Sequence, residues 1–519
     1  MRTNRVSLCM IVKDEAENLP RCLEAARPYV DEICIVDTGS TDRTVEIAEE
    51  WGATVQRIAW PNSFAKARNV SLGMATGDWI LVLDADEVMR PGQEEFFASI
   101  VDDPRNVGCF LEIVNHDEKG RELAVLVMRL FRNDPRFRFR LAIHEQVVEP
   151  VVDEADRSGR RVLNEGPVLD HYGYMADAME AKNKDERNRR HFEQALEEDP
   201  DCAYLWFKYG DFLRRFDEPQ PVIRALGRAV ELVDAMSDVK VETQPYAAEA
   251  FALLALEHIR EENLDEANRL LTRARARLRP TPMLLWVSGH LALRRNAWDE
   301  AIEHFEACRA YDGRTVHIPP QPGITNSRCH FGIARALLGQ GKGKEGVRMI
   351  MEGAERWPDC EDLVLAATRI DILQGRHSLA IRRITRALER DPDCANFWQV
   401  GAELLLTVGK REDAQRWIAT ARTHANRLCA AAVTATEGEC HLSFGRPEEA
   451  LDCWRADLRH PLSRAGLRML FRLGGEPLPP ELAADDPEVD VAEEALTARL
   501  KMHPPAAPLL EALEPLQTV

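Results

Sequence analysis

Residues 79–87 read Trp-Ile-Leu-Val-Leu-Asp-Ala-Asp-Glu and are the most informative stretch for the fold of this chain. Its first five residues are apolar with no polar face, which predicts a short strand buried on both sides of a sheet. In an extended segment, Asp84 and Asp86 would point the same way. Two converging carboxylates repel each other, and a divalent cation relieves that repulsion. Hard oxygen ligands suit Mg²⁺ or Mn²⁺, so both aspartates are candidate metal ligands.

The same acidic residues have a simpler interpretation, because Asp-x-Asp is common in solvated turns. The surrounding chain favours the metal site. Residues 6–12 and 33–36 are predicted to form buried strands and residues 53–58 a third strand, and residues 16–28 and 63–75 have helical spacing. Ligand sites in open α/β sheets lie at the carboxyl ends of such strands.

This alternation of strands and helices predicts a parallel, doubly wound sheet with a mononucleotide-binding half. No Gly-x-Gly-x-x-Gly follows the first strand, which excludes the dinucleotide-binding version. The match at residues 341–346 lies in a helical region without a preceding strand. A nucleotidyltransferase shares this type of sheet, but its Gly-rich, basic loop is missing after Val12.

Composition excludes several functional classes. The net charge of −20 argues against a general nucleic-acid binder and against a polybasic membrane-surface protein. The 12 cysteines are scattered without a C-x-x-C pair, which indicates reduced thiols and predicts a cytoplasmic location. The first apolar run is too short for a signal peptide, and the sequence contains no apolar run long enough for a transmembrane helix.

Four ordered blocks of sequence resemble family-two glycosyltransferases, which have the GT-A fold, a Rossmann-like α/β domain that binds nucleotide sugars. The resemblance covers about the first third of the chain and predicts a domain at residues 1–175. It is specific for the fold and for a nucleotide-sugar donor, but it says little about the acceptor. The blocks are Met10-Ile-Val-Lys-Asp-Glu15, Val36-Asp-Thr-Gly-Ser-Thr-Asp42, Ala67-Arg-Asn69 and Asp78-Trp79 through Asp84-Ala-Asp-Glu87.

The resemblance implies roles for individual residues of the donor site. Arg68 would lie near the nucleotide or its diphosphate. Asp84 would touch the ribose or the metal, and Asp86 would ligate the Mg²⁺ or Mn²⁺ that holds the diphosphate. Glu15 belongs to the first block and would take part in binding the nucleotide sugar.

The nucleoside contact is less well defined than the metal site. The resemblance implies that Asp37 contacts the base or the ribose, and the expected donor is a UDP-sugar. Many relatives have a second acid directly after this position, where this chain has Thr38.

A base for the acceptor is expected near residue 145, because the attacking hydroxyl or thiol must lose a proton. Glu145 is the candidate base, and His144 is a candidate third metal ligand. The alternative is a buried histidine paired with a structural acid. The chain before this pair is rich in arginine, with Arg129, Arg132, Arg138 and Arg140. These arginines would frame the diphosphate or form a solvated strand face, and the strand face is favoured for most of them.

The rest of the chain has a 34-residue period between Gly341, Gly375 and Gly409. This helix–turn–helix period is the tetratricopeptide signature, so residues 176–470 are predicted to form an all-α solenoid of about seven repeats. Extra residues near 235–246 and 311–325 stretch two intervals, and the second insertion is predicted to be a loop on one face. The acidic, Pro-rich residues 471–519 would be loose apart from a capping helix near 490–502.

The leading functional hypothesis is a metal-dependent, inverting glycosyltransferase that uses a nucleotide-diphosphate sugar. The repeats favour a protein or peptide acceptor, as in bacterial S-glycosyltransferases of the sublancin type, which this layout resembles. The first blocks also resemble lipopolysaccharide core glycosyltransferases, so a glycan acceptor stays open. Two further alternatives remain: repeats that only brace or dimerise the enzyme, giving a homodimer, and a repeat scaffold with an inactive transferase domain.

Overall fold

The structure is a computed structural model of the 519-residue chain. It describes residues 2–116, 122–141, 145–172, 181–216, 218–237, 241, 244–318, 320–426, 429–458, 460–474, 477–483, 486–501 and 503. The chain divides into two compact units. The first unit comprises Met1–Val287 and Tyr311–Gln321, and the second comprises Ser288–Ala310 and Pro322–Val519. The first unit therefore includes repeat helices as well as the sheet, and the boundaries at 175 and 470 stay predictions.

A mixed sheet forms the amino-terminal part of the first unit. In the described residues it contains nine strands in the order β3-β2-β1-β4-β7-β6-β9-β5, with β8 beside β6. The strands are β1 (Val6–Val12), β2 (Glu32–Asp37), β3 (Thr54–Arg57), β4 (Trp79–Val82), β5 (Glu87–Met89), β6 (Asn106–His116), β7 (Glu122–Arg132), β8 (Arg161–Leu163) and β9 (Val168–His171). The helices between them are α1 (Leu19–Ala26), α2 (Thr44–Glu50), α3 (Phe64–Met74), α4 (Glu94–Asp102) and α5 (Val148–Ser158), and α1 runs into a 3₁₀ turn at Arg27–Tyr29.

Strand β4 is the centre of this sheet, and it is buried on both faces as predicted. Trp79 and Leu81 belong to one core cluster together with residues of α1 and α4, whereas Ile80 and Val82 belong to the opposite cluster with residues of α3 and α5. Because successive side chains of a strand point to opposite faces, both faces need apolar residues here. This explains why β4 reads as a continuous apolar run.

The parallel half of the sheet follows the prediction, and the other half adds to it. Strands β3, β2, β1 and β4 are parallel neighbours. Beyond β4 the pairing changes, because β7 runs antiparallel to both β4 and β6. A doubly wound parallel sheet therefore describes only the half formed by β3, β2, β1 and β4, and the antiparallel pair of β6 and β7 extends it.

The helical part begins with Ala181–Glu198 and continues as a series of paired helices. Seven pairs follow in the described part of the chain: Ala203–Leu213 and Pro219–Asp234, Tyr246–Arg260 and Leu264–Arg277, Pro282–Arg294 and Trp298–Arg309, Ser327–Gly339 and Gly343–Arg356, Glu361–Leu373 and His377–Arg390, Ala395–Thr407 and Arg411–His424, and Ala430–Ser443 and Pro447–Ala456. Three more helices, Pro461–Gly474, Pro480–Ala483 and Pro487–Leu500, close the described chain.

The turn inside the later repeats is built in one way. Gly375 follows the helix Glu361–Leu373 with φ of 71°. The next residue, Arg376, donates its backbone N–H to the carbonyl of Asp371 at 2.8 Å, which is the Schellman pattern of a helix end. In an earlier repeat Glu262 takes the glycine's place with φ of 61°. The periodic glycines therefore mark positions where the backbone must have a positive φ. A residue with a side chain adopts that conformation at a higher energy than glycine does.

The last helices cover the end of the second unit. Leu496 and Leu500 of Pro487–Leu500 are buried in a cluster with Trp454. Over the described residues, no helix combines the length and the apolar character that crossing a membrane requires.

Candidate active site

The acidic residues after β4 form a tight turn. The backbone N–H of Asp84 donates to the Glu87 carboxylate at 2.9 Å, and the N–H of Glu87 donates to the carbonyl of Asp84 at 3.0 Å. The turn feeds directly into β5. The assumption of an extended segment at Asp84–Asp86 was therefore wrong, because these hydrogen bonds reverse the chain and give the two aspartates different partners.

Asp84 lies between two arginines. Arg68 donates from Nη2 at 2.7 Å to one carboxylate oxygen of Asp84, and Arg129 donates from Nη2 at 2.8 Å to the other. Arg129 also bonds to the buried carboxylate of Glu87. Burial opposes ionisation of Asp84, but the two guanidinium charges outweigh it and hold the pKa of Asp84 well below its usual range. In this arrangement Asp84 anchors the arginines.

Arg68 also joins the turn to the candidate base. Its Nε donates to Oε1 of Glu145 at 2.8 Å, so one guanidinium group bridges Asp84 and Glu145. Arg68 lies on α3 and is 5% exposed. The sequence placed these three residues in one site, and the structure brings them into direct contact.

Both arginines retain an unused donor. Among the described residues, Nη1 of Arg68 and Nε of Arg129 are buried and have no hydrogen-bond partner. A buried N–H without an acceptor costs about 1–3 kcal/mol. An anionic ligand or an ordered water would relieve that cost, so the site is suited to phosphate oxygens.

Asp86 is paired with a histidine that the sequence reasoning missed. His171 ends β9, which is paired with β5, and its Nε2 lies 3.2 Å from Oδ2 of Asp86. Its Nδ1 lies 2.7 Å from Oδ1 of Asn115. The oxygen of Asn115 can only accept, so Nδ1 carries a proton. The hydrogen bond to Asp86 raises the pKa of His171, while burial opposes the increase.

The pair of Asp86 and His171 suits a divalent cation. With Nδ1 held by Asn115, a neutral His171 directs the lone pair of Nε2 towards Asp86, so an imidazole nitrogen and a carboxylate oxygen face the same space. Both are ligands for Mn²⁺. In the part of the chain that the structure describes, no cluster of three or more acidic, histidine or cysteine side chains has metal-binding geometry. His144, the predicted third ligand, lies outside the described residues.

Glu15 and Asp37 occupy different positions in the site. Burial, followed by the charges of Asp86 and Asp84, raises the pKa of Glu15, which places it close to the acidic turn. Asp37 ends β2 at the carboxyl edge of the parallel strands. Its carboxylate accepts the backbone N–H of Ser40 at 3.1 Å, so in this structure it stabilises the turn after β2.

The other three arginines of the predicted run serve different purposes from Arg129. Arg132 donates to the carbonyl of Asn106 at 2.8 Å, and Arg138 donates to the carbonyl of Phe137 at 2.8 Å. Arg140 is exposed and lies 3.2 Å from Glu149. Only Arg129 of this group reaches the acidic turn. Because β7 runs antiparallel to β4, Arg132 pairs with Trp79 at the start of β4 and Arg129 lies towards its end.

Two family models match the chain. The model described as glycosyl transferase family 2 matches residues 7–165, which run from β1 to β8. Of the candidate site residues that the structure describes, only His171 of β9 lies outside the matched range. A tetratricopeptide repeat model matches residues 253–314, within the run of paired helices.

Several curated proteins are similar to parts of the chain. A TPR repeat-containing protein of Synechococcus elongatus is 40% identical over 211 residues, which are 40% of this chain and 52% of that protein. The SPbeta prophage-derived glycosyltransferase SunS of Bacillus subtilis is 25% identical over 240 residues, which are 46% of this chain and 56% of that protein. The chain thus spans about half the length of these two curated relatives.

Among solved structures, a crystal structure of S. aureus TarS is 17% identical to this chain with a TM-score of 0.31, over 51% of this chain and 54% of that one. The match of the family models agrees with the order of elements described above. The chain therefore contains a glycosyl transferase family 2 domain followed by tetratricopeptide repeats.

Proposed function

We propose that this protein is a metal-dependent, inverting glycosyltransferase that moves a sugar from a nucleotide-diphosphate donor to an acceptor. The observation that carries the proposal is the pairing of Asp86 with His171 beside two buried arginines that each retain an unused N–H. A diphosphate with a bound metal ion needs ligands for the metal and N–H donors for its own oxygens, and these two kinds of group lie side by side here. Asp86 and both arginines lie within the residues that match the glycosyl transferase family 2 model, which supports the same conclusion.

The chemistry assigns a task to each group. Transfer breaks the bond between the sugar carbon and the diphosphate oxygen, so negative charge develops on the leaving diphosphate. A bound Mg²⁺ or Mn²⁺ would neutralise part of that charge. Asp86 and His171 are the residues that would hold the cation. Arg68 and Arg129 would donate their unused N–H groups to the diphosphate.

Glu145 is the proposed base. The acceptor hydroxyl or thiol attacks the sugar carbon, its proton passes to the carboxylate of Glu145, and the diphosphate leaves from the opposite side. A single displacement of this kind inverts the configuration at the sugar carbon. The ion pair with Arg68 supports the assignment because it fixes the orientation of Glu145 within the donor site.

The acceptor is proposed to be a protein or peptide held by the repeats. Tetratricopeptide solenoids present long surfaces, which are suited to extended partners. A glycan acceptor is the second candidate. A scaffold with an inactive transferase domain is the third, and it would have no reason to retain the buried network around Asp84.

Calorimetry with UDP, with and without Mn²⁺, tests the donor site. We expect UDP to bind more tightly with Mn²⁺, and Asp86→Asn to weaken the metal-dependent affinity by about tenfold to a hundredfold. Asp156→Asn, which changes an exposed acid on α5, is the matched control and should leave binding unchanged.

Two results would revise the proposal in different ways. Metal-dependent affinity that survives in Asp86→Asn would remove Asp86 from the metal site. A preference for GDP or TDP over UDP would correct the base of the donor and nothing else. Failure of the wild-type protein to bind any of the three nucleotides would favour the inactive scaffold.

A further inference from the structure

We propose that a cavity beside Glu145 binds a neutral segment of the acceptor peptide that carries an apolar side chain next to the modified residue. This inference rests on the proposed transferase function and deepens it. The cavity measures about 470 Å³ and lies within the first unit. We call it the acceptor cavity and define it by Met128, Gln146, Tyr204, Phe207, Lys208 and Tyr246.

The acceptor cavity adjoins the proposed base. Gln146 directly follows Glu145 in the chain, and its Nε2 lies 3.2 Å from the hydroxyl of Tyr204 on the helix Ala203–Leu213. Two backbone hydrogen bonds of 2.9 and 3.0 Å between Arg140 and Gln146 fix the backbone directly after Glu145. A ligand in the cavity would therefore lie next to Gln146, the residue that follows the proposed base in the chain.

The interior of the cavity is aromatic and apolar. The ring of Tyr246 lies 5.2 Å from that of Tyr204 and 5.7 Å from that of Phe207. Phe207 is 3% exposed, and Met128 of β7 contributes to the same wall. Pockets of this size with an apolar interior and a few polar groups are typical binding sites for compact ligands.

The charges around the cavity largely neutralise one another, which argues for a neutral ligand. Three of the four acids of its lining are each bonded to an arginine: Glu149 to Arg140 at 3.2 Å, Asp201 to Arg228 at 2.9 Å, and Asp211 to Arg214 at 3.1 Å. A basic side chain entering the cavity would lose its hydration and find three of the four lining acids already paired. An acidic side chain would reach Lys208 only in the presence of those four carboxylates. An aliphatic or aromatic side chain meets no such cost.

Lys208 provides a polar contact inside this apolar site. Its ammonium group lies 5.9 Å from the centre of the Phe207 ring, and the nearby charge of Asp211 favours its charged form. Burial lowers the pKa of Lys208. An ammonium group with free donors is suited to the carbonyl oxygen of a peptide backbone. The combination of apolar pockets and a carbonyl-binding donor favours a peptide over a sugar ring, which needs polar partners around its whole edge.

The second insertion of the repeats forms part of the same cavity. Val316 forms an isolated bridge with Val125 of β7, and His317 packs edge-on against Phe110 of β6 at 4.8 Å. His317 and Ile318 line the cavity. The insertion was predicted to be a loop on one face of the repeats. Its contact with the transferase sheet makes it a wall of the acceptor cavity.

The test is ligand binding to the full-length protein by saturation-transfer NMR. The probes are acetylated and amidated tripeptides with a central serine, flanked by two phenylalanines, two leucines, two aspartates or two lysines, and the free sugars glucose and N-acetylglucosamine. We expect signals from the phenylalanine and leucine peptides only. UDP binding by the same sample reports on the donor site, so failure of the proposed function can be distinguished from failure of the cavity assignment.

A matched pair of variants locates the binding. Cys202 lies at the start of the helix Ala203–Leu213 with φ −80° and ψ 99°, and it lines the cavity. Cys394 occupies the corresponding place in a later repeat, with φ −72° and ψ 102°. Cys202→Phe should fill the cavity and abolish the peptide signals, whereas Cys394→Phe should retain them. Lys208→Met leaves the cavity open and should weaken peptide binding about tenfold.

Several outcomes would overturn the inference. Sugars that bind while all the peptides fail would assign the cavity to a glycan. Aspartate or lysine peptides that bind as well as the phenylalanine peptide would refute the requirement for a neutral, apolar segment. Equal peptide binding by Cys202→Phe and Cys394→Phe, or no peptide binding by a wild-type protein that binds UDP, would also refute it.

Discussion

At the scale of single residues, Arg68 controls the geometry of the donor site. It is almost fully buried and bonds to two carboxylates that are distant in sequence, Asp84 and Glu145. Removing one member of a buried ion pair leaves its partner without a counter-charge, which costs more than the pair itself contributes. Variants at this site should therefore conserve shape and change one property at a time.

Glu145→Gln conserves the shape of the side chain and removes its capacity to accept a proton. We expect turnover to fall by a factor of about 10²–10⁴, the usual contribution of a general base, while the affinity for UDP stays close to that of the wild type. Single-turnover kinetics and UDP calorimetry measure the two quantities separately. Unchanged turnover would leave Glu145 with only its structural contact to Arg68.

Glu249 is a second residue whose ionisation has a predictable effect. It lies in the helix Tyr246–Arg260, and burial raises its pKa to about 7 from 4.5. The folded state therefore binds this proton more tightly than the unfolded state does. The resulting stability is fully present below pH 4.5 and is lost as the pH rises through 7.

Glu249→Gln should remove this pH dependence. We expect the variant and the wild type to have similar melting temperatures near pH 5, and the variant to be more stable at pH 8 by about 2–3 kcal/mol. Glu303→Gln, at an exposed position of another repeat helix, is the control. An equal difference at both pH values would show that ionisation of Glu249 is not linked to folding.

At the scale of elements, the repeats depend on the conformation of the turn between paired helices. Most of the later repeats place glycine there, as Gly375 does, but Glu262 adopts the same left-handed conformation with a side chain present. An L-residue in this region costs about 1–2 kcal/mol, and glycine avoids most of that cost.

Glu262→Gly should therefore stabilise the repeat by about 1 kcal/mol. The preceding residue provides the control, because Glu261 has φ −86° and gains nothing from glycine. Glu261→Gly should lower the melting temperature, and Glu262→Gly should raise it. A decrease in both variants would mean that the contacts of the Glu262 side chain outweigh the backbone cost.

At the scale of the whole molecule, the first compact unit does not end where the sheet ends. It includes residues up to Val287 and returns for Tyr311–Gln321. Tyr204 lies within hydrogen-bonding distance of Gln146, and Val316 pairs with Val125 of β7. The first repeats are therefore part of the structure that surrounds the transferase site.

Two truncations test this organisation. A fragment of residues 1–321 retains every segment of the first unit and should keep a cooperative thermal transition and UDP affinity. A fragment of residues 1–180 loses the contacts with Gln146 and Val125, and should lose both properties. Circular dichroism and UDP calorimetry provide the measurements. Wild-type UDP affinity in the shorter fragment would show that the sheet folds and binds independently of the repeats.

The strands and helices of this protein could be predicted from its sequence. The apolar run at Val6–Val12 predicted β1 at the bounds that the structure has, and β4 was placed within one residue. The 34-residue period identified the helix–turn–helix units and their glycine turns. Strands and repeat units of this kind show as patterns in consecutive residues or as a regular repeat along the chain, so the sequence is sufficient to recognise them.

The contacts between site residues that are distant in sequence could be established only from the tertiary structure. His171 reaches Asp86 across 85 residues because β9 pairs with β5, and Arg129 reaches Asp84 because β7 enters the sheet next to β4. The turn at Asp84–Glu87 then separates the two aspartates that an extended strand would have joined. Contacts of this kind depend on strand order and on long-range packing, for which neighbouring residues carry no signal.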